Sequence, residues 1–314
     1  MKKIKIIFAG NDAFSLKHLK KIFLLSFVKL KAIIISKKKK RNKKISYIEK
    51  FSKKNNIKLI KVKNFNSKIK KKLKNINSDL LLVVSFGMII PKKILKIFTL
   101  GGINIHASLL PKWRGCSPIQ NSILSGDKKT GISIIQMNTE IDSGDIIYIK
   151  KYKIKKKENY NSLSNNLAKI GKQSIVKVLN QILKQKIKKI PQNNNKATYT
   201  KKIKKKDGHI NWNNSAKKIE RMIRAYKPWP SSYFFINKKM VKILKSEIIL
   251  KKKKNKNKNL IGKIKDFNKN GILIETKKNF LNITKLQISG KKKNYSCNLY
   301  NSYKNFFKIG KLLT

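Results

Sequence analysis

The stretch Asp79–Ser85 (DLLLVVS) determines the fold class, because it is apolar at nearly every position. A strand of this composition is typical of a parallel sheet whose two faces are both covered by helices. Similar apolar strands are predicted at Ile4–Ala9 and Leu30–Ser36, and helices are predicted between them at His18–Leu25 and Ile45–Asn55. Strands that alternate with helices in this way predict an α/β fold built on a parallel sheet.

The second half of the chain follows a different pattern. A long amphipathic helix is predicted at Leu163–Leu183, and a basic, polar stretch follows it. We therefore expect a first domain over residues 1–189, a linker over 190–206 and a second domain over 207–314. Short strand-like segments then follow at Tyr233–Ile236, Met240–Lys245, Ile261–Asp266, Gly271–Thr276 and Leu281–Leu286. Several short strands with Gly and Asn turns predict a small β-barrel.

The composition is strongly basic, but the charge is a weak guide to function. The 314 residues contain 79 Lys and Arg against 13 Asp and Glu, for a net charge of +66. Only four of the basic residues are arginines, at positions 41, 114, 221 and 224. Selection for phosphate contacts would more often choose Arg, with its bidentate fork. We therefore interpret most of the charge as a base-composition bias at tolerant surface positions, although the positive field would still attract RNA nonspecifically.

Several classes of protein are disfavoured by the sequence. The longest nearly unbroken apolar run, Leu80–Ile90, is too short to span a bilayer, and the N-terminus lacks the long apolar region of a signal peptide. The two cysteines, Cys116 and Cys297, form no CxxC pair. Neither a zinc-ligand spacing nor a phosphate-binding loop motif is present. We expect a cytoplasmic protein that uses no metal and contacts no membrane.

One polar cluster points to chemistry. In the predicted strand Gly102–His106, a period of two places Asn104 and His106 on the same face, at the strand end where α/β sheets bind ligands. The loop after the next strand, Glu140–Asp145, holds three of the chain's 13 acids. An Asn, a His and an Asp without a Ser or Cys nucleophile motif favour group transfer to an external nucleophile.

The same segments carry a family resemblance. Asn104–Pro111 (NIHASLLP), followed by Trp-Arg-Gly at 113–115, and Ile141–Asp145 (IDSGD) resemble the signature of the 10-formyltetrahydrofolate-dependent formyltransferases. The resemblance covers essentially the whole chain. In the second half, Arg224–Pro230 and Leu286–Gln287 with Gly290–Lys292 resemble the branch of the family that formylates methionyl-tRNA.

The resemblance implies a fold, a reaction and a set of site residues. It implies a Rossmann-like N-terminal domain and an OB-like C-terminal domain. We expect the C-terminal domain to bind tRNA, because OB-like barrels commonly bind nucleic acid, and we expect a monomer. The substrates would be 10-formyltetrahydrofolate and initiator methionyl-tRNA. By position in the motifs, the catalytic residues would be Asn104, His106 and Asp142. The residues lining the folate pocket would be Ser108, Leu109, Leu110 and Pro111.

The chain departs from the family pattern at two places, and two alternatives stay open. Asn11-Asp12 stand where a Thr-Pro pair is usual, and the basic loop Lys37–Lys44 is shorter than the family's tRNA-contacting loop. One alternative is formyl transfer to glycinamide ribonucleotide or an amino sugar, which the C-terminal resemblance disfavours. The other is a noncatalytic RNA-binding protein, which the intact Asn, His and Asp disfavour.

Overall fold

The computed structural model describes residues 3–37, 45–251 and 260–314. Apart from Lys37, the basic loop predicted at 37–44 lies outside the described residues. The described chain forms two compact units. The first consists of Met1–Pro118, Lys128–Ile154 and Leu163–Lys201, and the second of Ile119–Asp127, Lys155–Ser162 and Lys202–Thr314.

A seven-stranded sheet organises the first unit, in the order β3-β2-β1-β4-β5-β7-β8. Its strands are β1 (Ile4–Gly10), β2 (Val28–Ser36), β3 (Leu59–Val62), β4 (Leu80–Val84), β5 (Gly102–His106), β7 (Lys129–Gln136) and β8 (Ile146–Lys153). The helices that begin before residue 190 are α1 (Ala13–Phe23), α2 (Tyr47–Lys54), α3 (Ser67–Lys74), α4 (Lys92–Leu95), α5 (Pro118–Ser125) and α6 (Tyr160–Leu183). The α/β class predicted from the sequence is confirmed.

The sheet is parallel only in part. Strands β3, β2, β1, β4 and β5 pair in parallel, whereas β7 runs antiparallel to β5, and β8 runs antiparallel to β7. The antiparallel pair is joined by a short loop, 137–145, and a tight connection of this kind can join only antiparallel strands. The acidic loop therefore connects two strands at the β5 side of the sheet, where β7 pairs directly with β5.

The apolar strands are buried as their composition predicts. All five residues of β4 are buried, and β1 is buried at every position but one. One apolar layer of the sheet packs the strand residues against the Phe65, Leu73, Phe86 and Ile94 side chains from the connecting segments. Helix α3 was not predicted, because its sequence SKIKKKLK buries only Leu73.

An antiparallel sheet forms the second unit. Its strands are β10 (Ser232–Ile236), β11 (Lys239–Ile249), β12 (Ile264–Asn268), β13 (Gly271–Glu275), β14 (Phe280–Ile288) and β15 (Asn294–Tyr295). The order is β10-β11-β14-β13-β12, and β15 pairs with β14. The C-terminal segment closes the gap between the two edges: Thr314 exchanges backbone hydrogen bonds with Phe235 of β10, and Lys311 accepts one from Ile264 of β12. The sheet therefore curls into a small barrel.

Helix α7 (Ala216–Ala225) ties the inserted segments of the second unit to its barrel. Arg224 forms a bidentate pair with Glu220, and its Nη1 donates to the Glu158 carbonyl at 2.7 Å. Arg221 Nη1 donates to the Ser125 carbonyl at 3.1 Å, at the end of α5. Two arginines thus hold the segments 119–127 and 155–162.

The structure places residues 190–201 differently from the predicted linker over 190–206. Ile190 forms a backbone bridge with Ile146, and β9 (Tyr199–Thr200) pairs with β6 (Arg114–Gly115). The segment therefore packs within the first unit, which extends to Lys201. Its polar side chains resemble a linker in sequence, but several of them hydrogen-bond to protein groups.

A buried histidine gives the first unit a pH-dependent stability. His18 of α1 packs against Gly171 of α6, its Nδ1 donates to the Phe14 carbonyl, and its Nε2 is buried with no hydrogen-bond partner in the described structure. Burial, aided by the charges of Lys172 and Lys17, lowers the pKa of the His18 imidazole from 6.5 to about 4. Between pH 6.5 and about 4, the His18 side chain therefore binds a proton in the unfolded chain but not in the folded chain.

We expect the free energy of unfolding to fall as the pH decreases from 6.5 to 4, by up to about 3 kcal/mol. The variant His18→Leu should lose this part of the pH dependence, because its side chain does not titrate. Urea unfolding at a series of pH values measures the effect, with the exposed His209→Gln as a control. An unchanged pH dependence in His18→Leu would contradict the assignment.

Candidate active site

Strand β5 carries the first two predicted catalytic residues. Its side chains alternate, so Asn104 and His106 share one face, and Ile103 and Ile105 are buried on the other. Asn104 is half-buried and His106 is buried. Asn104 pairs with Val83, near the carboxyl end of the parallel strand β4. This is the end of an α/β sheet at which ligands bind.

The loop between β7 and β8 brings the third predicted residue to the same place. Oδ1 of Asp142 accepts a hydrogen bond from Asn104 Nδ2 at 2.9 Å, and Oδ2 lies 3.4 Å from His106 Nδ1. The three side chains form one cluster. Asp142 lies in the left-handed region with φ 51°, so the turn is held in a conformation that non-glycine residues seldom adopt.

The acidic loop lies tightly against the end of β7. A Cβ atom added to Gly144 would lie 1.8 Å from the Gln136 carbonyl oxygen, so only glycine fits there. The Gln136 N–H in turn donates to the Asp145 carbonyl at 2.9 Å. The close contact between Gly144 and Gln136 therefore fixes the distance between the Asp142 turn and the end of β7.

The His106 ring contacts acceptors through both nitrogens. Nε2 lies 2.9 Å from the Trp113 carbonyl oxygen, and because a carbonyl oxygen only accepts, this nitrogen carries a hydrogen. Nδ1 faces the Asp142 carboxylate, which also accepts. Trp113 has φ 63°, a strained conformation for a bulky side chain, and this conformation aims its carbonyl at the ring.

Gly115 supplies another donor to the cluster. Its N–H donates to Asp142 Oδ2 at 2.8 Å. Its φ of 104° favours glycine, and a Cβ atom there would lie 2.8 Å from the Thr200 carbonyl oxygen. The Trp-Arg-Gly sequence at 113–115 is therefore part of the site through its backbone.

The four residues expected to line a folate pocket lie on the loop that follows β5. Ser108 and Leu110 are buried, whereas Leu109 and Pro111 are half-buried. The Ser108 hydroxyl donates to the Lys112 carbonyl at 2.5 Å, and Leu110 packs with a cluster of isoleucines from β7 and β8. Contact of these four residues with folate stays a prediction.

A polar cluster behind the site was missed by sequence reasoning. Arg114 is fully buried, and the side chains that accept its N–H groups are those of Gln192, Asn194 and Tyr199. Gln192 also donates to the acidic loop, at the Asp142 and Gly144 carbonyls. The partners of Arg114 come from a stretch whose polar composition indicates a solvated linker, and no local pattern marks them as partners of a buried arginine.

A cavity of about 770 Å³ lies in the first unit next to the acidic loop. Its lining includes Leu95, Ile103, Met137, Asn138 and Lys189, but none of the predicted site residues.

Within residues 3–37, 45–251 and 260–314, no group of three His, Cys, Asp or Glu side chains is placed to hold a metal ion. No helix of the described part is long and apolar enough to cross a membrane.

Comparisons with known proteins identify the family. Residues 5–179 match the formyl transferase family, and residues 202–304 match the formyl transferase C-terminal domain. The chain is 44% identical to the methionyl-tRNA formyltransferase of Buchnera aphidicola subsp. Acyrthosiphon pisum (strain Tuc7), over 100% of both chains. The chain belongs to the methionyl-tRNA formyltransferase family. It is also 41% identical to the Blochmanniella floridana member, over 100% of this chain and 99% of that one. The predicted resemblance is confirmed.

Solved structures share the fold at low identity. The sugar 3N-formyl transferase WlaRD superposes with a TM-score of 0.66 at 24% identity, covering 93% of this chain and 100% of that chain. The N-formyltransferase from Helicobacter canadensis gives a TM-score of 0.65 at 20% identity, covering 90% and 99%. These likenesses establish a shared fold.

The contact at Gly144 generates a structural prediction. In Gly144→Ala the new methyl group must displace the Asp142 turn, and overpacking of this kind costs about 1–3 kcal/mol. We expect a lower thermal midpoint, together with a changed His106 Nδ1 signal in ¹⁵N NMR, because Asp142 faces that nitrogen. Glu140→Gln, an exposed change in the same loop, is the control. An unmoved His106 signal in Gly144→Ala would show that this glycine does not position the turn.

Proposed function

We propose that Asn104, His106 and Asp142 catalyse transfer of the formyl group of 10-formyltetrahydrofolate to the amino group of initiator methionyl-tRNA. The reaction is that of the family, and the relatives that carry its name span the whole chain. The observation that carries the assignment of residues is the carboxylate of Asp142, which joins Asn104 and His106 in one cluster. When bound, 10-formyltetrahydrofolate supplies the formyl carbon to which the amine nitrogen bonds. The bond from that carbon to N10 breaks, the amine loses one proton, and N10 gains one to leave tetrahydrofolate.

Asn104 is suited to stabilise the oxygen that gains negative charge. One N–H of its amide is used by Asp142, and an amide group has a second N–H to donate. The side chain is fixed by that first hydrogen bond, so the second N–H needs little reorganisation when charge develops. Preorganised neutral donors of this kind are among the largest contributions to acyl-transfer catalysis.

His106 is suited to donate through Nδ1. Nε2 is committed to the Trp113 carbonyl at 2.9 Å, whereas the distance from Nδ1 to Asp142 is longer, at 3.4 Å. A substrate oxygen that enters beside Asp142 would receive the Nδ1 hydrogen. Catalytic hydrogen bonds are commonly long before substrate binds.

Asp142 orients both donors and accepts the proton lost by the amine, directly or through a water. Its two oxygens separate these contacts, because Oδ1 holds Asn104 and Oδ2 faces His106 and the Gly115 N–H. Holding the amine and the formyl donor in line would supply much of the remaining rate.

The surroundings of the cluster fit a co-substrate with an aromatic ring. Ile141 directly precedes Asp142 and is exposed. Apolar side chains that rim a few convergent polar groups are typical of small-molecule sites. We assign Ser108, Leu109, Leu110 and Pro111 to the folate pocket, with Leu109 and Pro111 offering contact surface and the other two shaping the loop.

The second unit offers a surface for tRNA. Strand register places Lys245 opposite Lys285, and Lys285 opposite Tyr295. The Lys285 ammonium lies 4.2 Å from the centroid of the half-exposed Tyr295 ring. A row of basic side chains beside an exposed aromatic ring is typical of barrels that bind nucleic acid.

The charge and the thiols support two further parts of the proposal, a monomer and a cytoplasmic location. A net charge of +66 opposes self-association, which supports a monomer. Cys116 and Cys297 are free and exposed, as suits a reducing compartment. We therefore place the protein in the cytoplasm as a monomer.

The assignment of catalytic residues predicts large losses of rate. His106→Ala, Asn104→Ala and Asp142→Asn should each lower kcat for formylation of methionyl-tRNA by about 100-fold or more, because each removes acid–base or oxyanion help. Folate affinity should change little. His209→Ala, which removes an exposed histidine of the second unit, is the matched control. A folded His106→Ala protein with near-normal turnover would refute the role of His106.

The surface on the second unit predicts a change in salt dependence. The double variant Lys245→Gln with Lys285→Gln should weaken tRNA binding and reduce the slope of log K against log salt by up to about 2, through loss of counterion release. Lys20→Gln with Lys21→Gln, on the exposed side of α1, is the control with the same charge change. Equal slopes for the two double variants would show that Lys245 and Lys285 are not specific tRNA contacts.

A further inference from the structure

The side-chain amide of Gln192 holds the turn that carries Asp142. Its Nε2 donates to the Asp142 carbonyl at 2.9 Å and to the Gly144 carbonyl at 2.7 Å. The two accepting carbonyls belong to the residues on either side of Ser143, so both hydrogens of one amide group hold the same turn. Gln192 follows β8 and α6 in the chain, and nothing in the acidic loop itself provides these donors.

The buried guanidinium of Arg114 determines which way this amide points. Arg114 Nε and Nη2 donate to Gln192 Oε1 at 3.2 and 2.8 Å. Arginine has only donors, so the amide oxygen must face Arg114 and the amide nitrogen must face the loop. Asn194 Oδ1 at 2.8 Å and the Tyr199 hydroxyl at 3.2 Å hold the guanidinium in place.

The turn needs an external support. Asp142 lies in the left-handed region, which costs free energy for a residue with a side chain. The carboxylate geometry depends on that conformation, because rotation of the backbone would move both oxygens away from Asn104 and His106. The N–H of Gly115, next to Arg114 in the chain, holds the carboxylate end of the same residue.

We propose that Gln192, oriented by Arg114, is a positioning residue that sets the Asp142 carboxylate against Asn104 and His106. The proposal rests on the catalytic role given to Asp142 above. Residues 190–201 are then a support of the active site, and their polar composition is explained by the carbonyl and guanidinium groups that they contact.

The isosteric variant Gln192→Glu keeps the contact with Arg114 and removes the hydrogen bonds to the Asp142 and Gly144 carbonyls. One carboxylate oxygen still accepts from Arg114, and the side chains that now accept from Arg114 are neutral, so the new charge gains a buried partner. The other oxygen faces two carbonyl oxygens and repels them. We expect kcat for formylation to fall about 10- to 100-fold, the effect of a small misplacement of a catalytic group, with each KM changed less than about threefold.

A double-mutant cycle with Asp142→Asn distinguishes positioning from general damage. If Gln192 acts through Asp142, Gln192→Glu should cost less than about threefold in the Asp142→Asn background. Asn193→Asp makes the same amide-to-carboxylate change one residue later, where the side chain accepts only from its own 3₁₀ turn, and should leave kcat within about twofold.

Each outcome bears on the proposal. Wild-type kcat in Gln192→Glu, or an equal loss in both backgrounds, overturns it. Full activity in Asp142→Asn would instead refute the catalytic role of Asp142. If Gln192→Glu does not fold, the neutral Gln192→Met, which also lacks donors, is measured in its place. Wild-type kcat in Gln192→Met would overturn the proposal in the same way.

Discussion

The arrangement of the site depends on one carboxylate. Asp142 receives the Asn104 amide on one oxygen and the Gly115 N–H on the other, which also faces His106. Asn104 and His106 come from strand β5, Gly115 comes from the short strand β6, and Asp142 itself lies in a strained turn after β7. Because no one element contains all of these residues, the fold must bring β5, the loop after it and the loop after β7 together before the cluster exists.

The arginines among the described residues, Arg114, Arg221 and Arg224, lie where they can donate hydrogen bonds to other segments. Of the 79 basic residues only four are Arg, and the three that lie in the described residues each hydrogen-bond to another segment. Arg114 supports the back of the site, while Arg221 and Arg224 hold inserted segments of the second unit. An ammonium group offers no planar fork. This pattern agrees with the interpretation of the lysines as surface drift.

The sequence predicted most of the fold and the cluster itself, for physical reasons. Apolar runs mark buried strands, and the period of two placed Asn104 and His106 on one face. It did not predict that β7 and β8 run antiparallel, that the C-terminal segment closes the barrel, or that Gln192 contacts the acidic loop. These depend on backbone hydrogen bonds between distant segments and on polar side chains that look solvated in sequence. A half-buried glutamine leaves no local periodicity in the sequence.

Single-turnover transfer of a labelled formyl group tests the central claim most directly. The full-length protein, loaded with 10-formyltetrahydrofolate labelled in the formyl carbon, is mixed with methionyl-tRNA, glycinamide ribonucleotide and an amino-sugar nucleotide together. The account predicts that the label appears on the amino group of methionyl-tRNA, with up to one equivalent per protein molecule. Label that appears on either of the other amines, is released as formate or stays on the folate would contradict it.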